Sequence, residues 1–277
     1  MTDASGSLWI LRPPRGQSKA ERNATERSAT QSQPPLLFCI PQAGMGAWTY
    51  HALAQQLAPD VEVLPVELPG HNSRMNREAL QTDLRALAAQ VAAVVRQCSQ
   101  DRAYAVFGHS MGAWIAYEVV QELQQTGHAL PLHLFVASNR APSLCGASHD
   151  VDSTRLSQLT ELEFWAALER RYGPNPALAS PALRKAMWPV LKADFTLLET
   201  YQHDPGTPAV PCPLTVIAGS LDTRFTKDQV AAWQHHALAP GALFGAEFQE
   251  VWLEGQGHNF ISQPPAQLVQ LLRDALQ

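Results

Sequence analysis

Short apolar runs recur along the chain and alternate with segments in which apolar residues repeat every three or four positions. The runs are LLFCI (36–40), VEVLPV (61–66), YAVFG (104–108), LHLFVAS (132–138), LTVIAG (214–219) and FQEVWLE (248–254). The segments with helical spacing are WTYHALAQQLA (48–58), REALQTDLRALAAQVAAVVRQC (77–98) and GAWIAYEVVQELQQTG (112–127). This alternation predicts an α/β fold with a mostly parallel central sheet flanked by helices. Functional residues of such folds collect at the carboxyl ends of the strands.

Two segments depart from the alternation. Residues 150–200 carry helical patterns and no convincing strand, which predicts a helical lid insertion over about 145–200. Residues 13–35 are polar and bounded by prolines, which favours a flexible insertion. The short apolar segment SLWILRP before it is interpreted as an edge strand that pairs with the next strand. We therefore expect an N-terminal part over 1–35 and a single domain over 36–277.

Composition excludes several classes of protein. The 277 residues are 45% hydrophobic and 16% charged, which is typical of a globular chain with a sizeable core. A net charge of −5 gives no basic field for nucleic acid, and no apolar run approaches the length of a membrane span. The four cysteines are far apart and form no zinc-binding spacing, so we expect reduced thiols and a cytoplasmic protein.

The segment YAVFGHSMGAWIAYEVV carries the first candidate for chemistry. Gly108-His109-Ser110-Met111-Gly112 follows a predicted strand and precedes a predicted helix. A Gly-x-Ser-x-Gly motif in that context is typical of a nucleophile elbow, a strained turn that projects the serine hydroxyl out of the sheet. An ordinary glycine-rich turn is the alternative, but the strand and helix on both sides favour Ser110 as a nucleophile.

A serine nucleophile needs a base, and the base needs a carboxylate that fixes its tautomer. Asp222 follows LTVIAG in GSLDTRF, and His258 follows FQEVWLE in GQGHNF. Both positions match the order serine, acid, histidine of the α/β-hydrolases. The alternatives are a turn or capping role for Asp222 and a surface role for His258, and Asp228 is the weaker substitute acid. His109 is interpreted as a support of the elbow.

An oxyanion hole requires backbone N–H groups after the nucleophile and after an early strand. The first predicted donor is Met111. The second lies in CIPQAGMGAW, where Ala43 or Gln42 is the candidate.

Several motifs in one order resemble the type II thioesterases of nonribosomal peptide and polyketide synthases, which are α/β-hydrolases that act in trans. The motifs are FCIPQAGMGAWTY, VEVLPVELPGHNSR, GHSMGAWIAYEV, ASNRAP, KADFTLLETY, VIAGSLD and GQGHNF. The chain departs from the family pattern at Gly44-Met45-Gly46, where a Gly-Gly pair is usual, and at His71, where arginine is usual. Ser110, Asp222 and His258 fall on the family's triad positions, with Met111 and the Gln42/Ala43 turn on its oxyanion hole.

The resemblance implies hydrolysis of acyl thioesters on the phosphopantetheine arm of acyl or peptidyl carrier proteins. It implies neither a metal nor a cofactor, and the expected protein is a monomer that binds no membrane. The predicted lid carries six basic residues against three acidic ones between 155 and 192, which would suit an acidic carrier, although a solvated helix surface is an equal alternative. Phe164, Trp165, Trp188 and Phe195 are expected in the core of the lid, and some of them could line an acyl channel.

Three other functions stay open at the level of sequence. A carboxylesterase or lipase of the same fold would carry the same triad. A product-releasing acyltransferase or cyclase would pass the acyl group to an amine or hydroxyl. A catalytically silent carrier-binding protein would keep only a docking surface.

Overall fold

Six parallel strands form one sheet in the described part of the chain. The computed structural model describes residues 9–11, 33–238 and 247–277. The strands are β1 (Leu36–Ile40), β2 (Glu62–Pro65), β3 (Tyr104–His109), β4 (Leu134–Ala137), β5 (Leu214–Gly219) and β6 (Phe248–Leu253). They lie side by side in the order β2-β1-β3-β4-β5-β6, and every neighbouring pair is parallel. The predicted α/β fold class is confirmed.

Helices connect the strands and cover the sheet. In chain order they are α1 (His51–Leu57), α2 (Leu84–Ser99), α3 (Met111–Gln125), α4 (Glu161–Tyr172), α5 (Pro181–Thr200), α6 (Lys227–Ala231) and α7 (Ala266–Ala275). Shorter 3₁₀ segments are Ala47–Tyr50, Asn72–Arg74, Pro142–Leu144, Ala147–His149, Leu156–Gln158, Pro176–Ala179, Ala232–His236 and Phe260–Ser262.

Apolar side chains pack in two layers, one on each face of the sheet. Along β1, Phe38 belongs to one layer, whereas its neighbours Leu37 and Cys39 belong to the other. This follows from the two-residue period of a strand, and it explains why a strand covered on both faces is apolar at every position. The edge strand β6 is only partly buried.

The helical segment over 145–200, which we call the helical insertion, lies between β4 and β5. Its residues contain no strand in the structure. α4 begins with a capping box in which Thr160 and Glu163 satisfy each other's backbone and side-chain groups, and Ser180 caps α5. The insertion also has a small apolar cluster of its own, in which Phe164 is fully buried between α4 and α5.

The structure corrects the expected start of one helix and adds another. The helical pattern begins at residue 77, but α2 begins at Leu84, because the Asp83 side chain caps its first turn by accepting from Ala86 N at 3.0 Å. Leu80 packs instead against Gly70. The contact is so close that a Cβ added to Gly70 would lie 2.6 Å from Leu80 Cδ2. α7 was not predicted at all.

The N-terminal predictions fall largely outside the described residues. Of the expected edge strand, residues 9–11 are described, and Ile10 forms an antiparallel bridge with Val66 just beyond β2. Its partner is therefore not β1, the strand that follows it along the chain. The proposed flexible insertion over 13–35 lies outside the described residues except for 33–35.

Candidate active site

The turn between β3 and α3 holds Ser110 in a strained conformation. Ser110 has φ 54° and ψ −116°, backbone angles that residues other than glycine rarely adopt. The two flanking glycines are required by close backbone contacts. A Cβ on Gly108 would lie 2.0 Å from the Gly112 carbonyl oxygen, and a Cβ on Gly112 would lie 2.1 Å from the carbonyl oxygen of Ile40. The strand and helix can therefore approach closely only with glycine at both positions.

Ser110, His258 and Asp222 come together at the carboxyl ends of β3, β5 and β6. His258 Nε2 lies 3.1 Å from Ser110 Oγ, and His258 Nδ1 lies 2.8 Å from Asp222 Oδ2. The Asp222 side chain is 3% exposed and that of His258 is 14% exposed. The arrangement has the geometry of a nucleophile, a base and an orienting acid.

Asp222 is held in its ionised form. Burial opposes ionisation, but the hydrogen bond and charge of His258, together with the backbone N–H and guanidinium of Arg224, outweigh it and lower the pKa of the Asp222 carboxyl. The Arg224 N–H donates to Asp222 Oδ1 at 3.0 Å. The substitute acid Asp228 lies exposed in the first turn of α6.

Two side chains hydrogen-bond to the backbone of the loop that carries His258. His109 Nε2 donates to the His258 carbonyl oxygen over 2.9 Å, and Ser138 Oγ donates to the same oxygen over 3.3 Å. Burial and the nearby charge of His258 lower the pKa of His109 to about 3, so its imidazole is neutral. The His109 imidazole therefore hydrogen-bonds to the backbone of the loop. It is not the base that accepts the Ser110 proton.

A third contact fixes the elbow from the next strand. Asn139 Nδ2 donates to the carbonyl oxygen of Ser110 at 2.9 Å. Ser138 and Asn139 were not singled out individually from the sequence, although both follow β4 within the motif ASNRAP. Their position at the carboxyl end of a central strand is the signal that could have found them.

The turn after β1 presents candidate oxyanion donors. Two N–H groups of this turn already donate hydrogen bonds. The Gly44 N–H donates to Asp194 Oδ2 at 2.7 Å, and the Met45 N–H donates to the Gln42 carbonyl oxygen at 3.1 Å. Within residues 9–11, 33–238 and 247–277, the N–H groups of Gln42 and Ala43 have no hydrogen-bond partner. Met111 is the first residue of α3, where N–H groups lack an intrahelical acceptor. These three N–H groups are therefore available to an oxyanion.

Asp194 links the helical insertion to this turn. It is 2% exposed on α5, and the Oδ2 atom that binds Gly44 also lies 3.0 Å from His71 Nε2. Burial lowers the pKa of His71, but the charge and hydrogen bond of Asp194 outweigh this and raise it. The sequence identifies His71 only as a departure from the family pattern, because its partner lies 123 positions away.

Replacing Asp194 by alanine is expected to lower the free energy of unfolding by about 3 kcal/mol, because the change breaks a buried pair and leaves the Gly44 N–H unsatisfied. Since the pKa of His71 is raised on folding, the charged pair stabilises most below about pH 6.5, and its contribution is lost as the pH rises through the folded pKa. Urea unfolding should therefore give a larger difference from wild type at about pH 6 than at about pH 9.

Lys185 is the matched control for that experiment, because it is exposed on the same helix. Lys185→Ala should change the free energy of unfolding by less than about 0.5 kcal/mol. Equal losses in the two variants would contradict the role of Asp194.

A cavity of ≈ 550 Å³ reaches Ser110 and His258 beneath the helical insertion. This volume is in the range of small-molecule sites. Its wall includes Gln42 and Ala43 on one side and, from the insertion, Trp165, Leu168, Tyr172, Met187, Leu191 and Phe195. Of the aromatic residues expected in the lid core, Trp165 and Phe195 therefore also line the cavity.

The described ranges contain neither a candidate membrane-spanning helix nor a candidate metal site. No helix there is long and apolar enough to cross a bilayer. No group of three or more histidine, cysteine, aspartate or glutamate side chains in those ranges is placed to hold a metal ion.

The parallel sheet, the elbow and the order of the site residues define an α/β-hydrolase fold. A family model described as the thioesterase domain matches residues 35–247. The chain belongs to the thioesterase domain family, and by family it is a thioester hydrolase.

The similarity extends to individual proteins and structures. Thioesterase PikA5 of Streptomyces venezuelae is 31% identical over 223 residues, which cover 80% of this chain and 76% of that protein. RedJ, a thioesterase from the prodiginine pathway of Streptomyces coelicolor, is 30% identical with a TM-score of 0.75 and covers 90% of this chain and 96% of its own. BorB, a type II thioesterase from the borrelidin biosynthetic cluster, is 26% identical with a TM-score of 0.73 over 97% of this chain and 96% of its own.

These relatives confirm the resemblance found in the motifs. Two structural neighbours are type II thioesterases of biosynthetic pathways. They are BorB and YbtT, and YbtT, from the yersiniabactin nonribosomal peptide and polyketide pathway, is 26% identical with a TM-score of 0.73 over 90% of this chain and 97% of its own.

Proposed function

We propose that the protein is a serine thioesterase that acts in trans on acyl groups carried by the phosphopantetheine arms of carrier proteins. Its role would be to remove stalled or wrongly loaded acyl groups from a nonribosomal peptide or polyketide synthase. The observation that carries the proposal is the line of contacts from Ser110 through His258 to Asp222 in a chain of the thioesterase family.

The first half of the reaction forms an acyl-serine. His258 Nε2 takes the proton of Ser110 as Oγ attacks the thioester carbonyl, and the ionised Asp222 stabilises the resulting imidazolium. The negative oxygen accepts hydrogen bonds from the Met111 N–H and from the N–H of Ala43 or Gln42. The carbon–sulfur bond then breaks, and the arm leaves as a thiol after taking the proton from His258.

The second half releases the acid. His258 accepts a proton from water, whose oxygen attacks the acyl-serine carbonyl, and then returns the proton to Ser110 Oγ as the ester bond breaks. A thiolate is a good leaving group, and we propose that the reaction requires neither a metal nor a cofactor.

The large cavity is the proposed path of the arm. Its ≈ 550 Å³ is sufficient for the slender arm and the atoms next to the thioester, and its apolar wall comes largely from α4 and α5. We therefore propose that the helical insertion acts as a lid whose movement admits the arm.

Charge on the helical insertion supports a carrier partner. The acids of α5 are used internally, since Asp194 binds Gly44 and Glu199 accepts from the Leu156 N–H at 2.6 Å. Its lysines Lys185 and Lys192 are exposed. The outer surface of α5 is therefore basic, which complements an acidic carrier protein. We propose that the protein binds the carrier as a monomer.

An acyl-carrier thioester and an oxygen ester of the same acyl chain discriminate this function from a carboxylesterase. We expect kcat/KM to be about 100-fold or more higher for the carrier thioester, because contacts with the arm and carrier supply binding energy that a simple ester lacks. Mass spectrometry of released acids gives the rates. Equal rates would indicate a general esterase, whereas no hydrolysis and no labelling by a fluorophosphonate would indicate a silent binding protein.

A further inference from the structure

A second, smaller cavity of ≈ 50 Å³ also contacts Ser110 and His258. By this measure a water molecule needs about 10–15 Å³, so the cavity has space for roughly four non-hydrogen atoms. It is far smaller than the first cavity, and its volume suits the end of a short acyl group. Since both cavities reach Ser110, a thioester bound across the serine can place its arm in the larger one and its acyl group in the smaller one.

The smaller cavity has an excess of cationic side chains. Its charged lining residues are four arginines and two carboxylates, Arg140, Arg155, Arg171, Arg224, Asp150 and Glu199. Both carboxylates already have donors, because Asp150 accepts from Arg140 at 2.6 Å and Glu199 accepts from Ser157 Oγ at 2.6 Å. The lining therefore has more guanidinium groups than carboxylates, and neither of its carboxylates is without a donor.

Three of the arginines also have structural partners within the protein. Arg140 donates to the Leu144 carbonyl, Arg155 to the Glu199 carbonyl and Arg171 to the Thr154 carbonyl. The Arg171 side chain is 6% exposed, and its Nε is a buried donor without a partner in the described residues. Buried donors of this kind are uncommon unless a ligand or water satisfies them.

Arg224 differs from the other three. Over the described ranges its guanidinium donates no hydrogen bond, and its Nη1 is a buried atom without a partner. The group is held by aromatic rings, with Cζ 4.1 Å from the ring centroid of Tyr172 and 6.0 Å from that of Phe225. Those two rings lie 6.0 Å and 6.1 Å from the His258 ring. A positioned guanidinium without a hydrogen-bond partner in the described residues thus lies one aromatic ring away from the base, and its charge also acts on Asp222.

We propose that the smaller cavity is an acyl subsite for a carboxylate, in which Arg224 binds the free carboxylate of a short dicarboxylic acyl thioester. A guanidinium and a carboxylate form a strong, directional pair, and a site with an unpaired donor discriminates against acyl groups that lack an acceptor. A malonyl group fits the dimensions, because its carboxymethyl end has four non-hydrogen atoms. This specificity rests on the proposed thioesterase function.

Malonyl and acetoacetyl pantetheine thioesters provide the test, because they have nearly the same shape and differ in one charge. Wild type should have a higher kcat/KM for malonyl by about 10- to 100-fold, the usual range for a hydrogen bond to a charged group. Arg224→Gln should reduce this ratio by about 10-fold or more, and Arg224→Lys, which keeps the charge, should retain part of it.

Arg170 is the matched control. It lies on α4 beside Arg171, but its side chain is 61% exposed and does not line the cavity. Arg170→Gln should leave the malonyl to acetoacetyl ratio unchanged. An equal loss in Arg170→Gln, or a wild-type ratio near one that Arg224→Gln does not alter, would overturn the proposal.

Malonate binding tests the anion site independently of thioester hydrolysis. Calorimetry on the Ser110→Ala variant should detect binding of malonate, whereas malonamide, its uncharged analogue, should bind at least 10-fold more weakly. Adding Arg224→Gln should abolish the difference. If no thioester is hydrolysed while malonate still binds through Arg224, the thioesterase function fails and the anion site stands. If thioesters are hydrolysed but malonate and malonamide bind equally, the anion site is wrong.

Discussion

Replacing Ser110 by alanine is expected to lower kcat for acyl-carrier hydrolysis on the order of 10⁶-fold, because the variant lacks the oxygen that accepts the acyl group. The fold should remain intact. Alanine keeps the Cβ in the same strained backbone, and the Ser110 hydroxyl has one described side-chain contact, His258 Nε2 at 3.1 Å. We expect the free energy of unfolding to change by less than about 1 kcal/mol. Rates of acid release and intact-mass measurements of the acyl-enzyme check the loss of kcat, and urea unfolding checks the free energy of unfolding.

The chain contains a matched control for this experiment. Ser99 Oγ lies 3.2 Å from His128 Nε2, a serine–histidine contact of nearly the same length at the end of α2. Ser99→Ala should leave kcat unchanged. Hydrolysis by Ser110→Ala at more than about a hundredth of the wild-type rate, or an acyl adduct at another residue, would contradict the role of Ser110.

The strands were predictable because burial on both faces makes each of them a continuous apolar run. β1 has the predicted bounds of LLFCI, and β5 those of LTVIAG. Helix boundaries were less predictable, since the pattern cannot distinguish an apolar residue used within a helix from one used elsewhere. Leu80 fits the helical spacing before α2, yet it packs on Gly70 in a non-helical segment. The cap at Asp83 and this tertiary contact together explain why the helix begins at Leu84 and not earlier.

The candidate site was predictable where chemistry dictates residue type and chain order. Ser110 lies in a Gly-x-Ser-x-Gly motif between a strand and a helix, and Asp222 and His258 follow later apolar runs in the order that the triad requires. Parallel strands bring their carboxyl ends together. The contacts that support them have no such signal. Asp194 reaches Gly44 over 150 positions, and the orientation of Arg224 depends on the ring of Tyr172. Such partners are set by tertiary packing, so they emerge only from coordinates.

Asp222→Asn is expected to lower kcat about 10⁴-fold, the loss typical of removing the charge beside a catalytic histidine. The carboxylate accepts a hydrogen bond from His258 Nδ1, which leaves Nε2 free to take the serine proton. An asparagine amide in that place can donate to Nδ1 and favour the tautomer whose Nε2 already carries a proton. The variant also loses the negative charge that stabilises the imidazolium. In the wild type, His258 and Arg224 keep the Asp222 carboxyl ionised by lowering its pKa.

Asp228→Asn is the control, because Asp228 is the other acid close to Asp222 in sequence and lies exposed on α6. It should keep wild-type kcat, since the described contact of His258 Nδ1 is with Asp222 at 2.8 Å. Single-turnover measurements should place the loss in Asp222→Asn on both acylation and deacylation, because His258 acts as the base in each. A loss confined to Asp228→Asn, or about a tenth of wild-type kcat retained by Asp222→Asn, would assign the orienting acid to another residue.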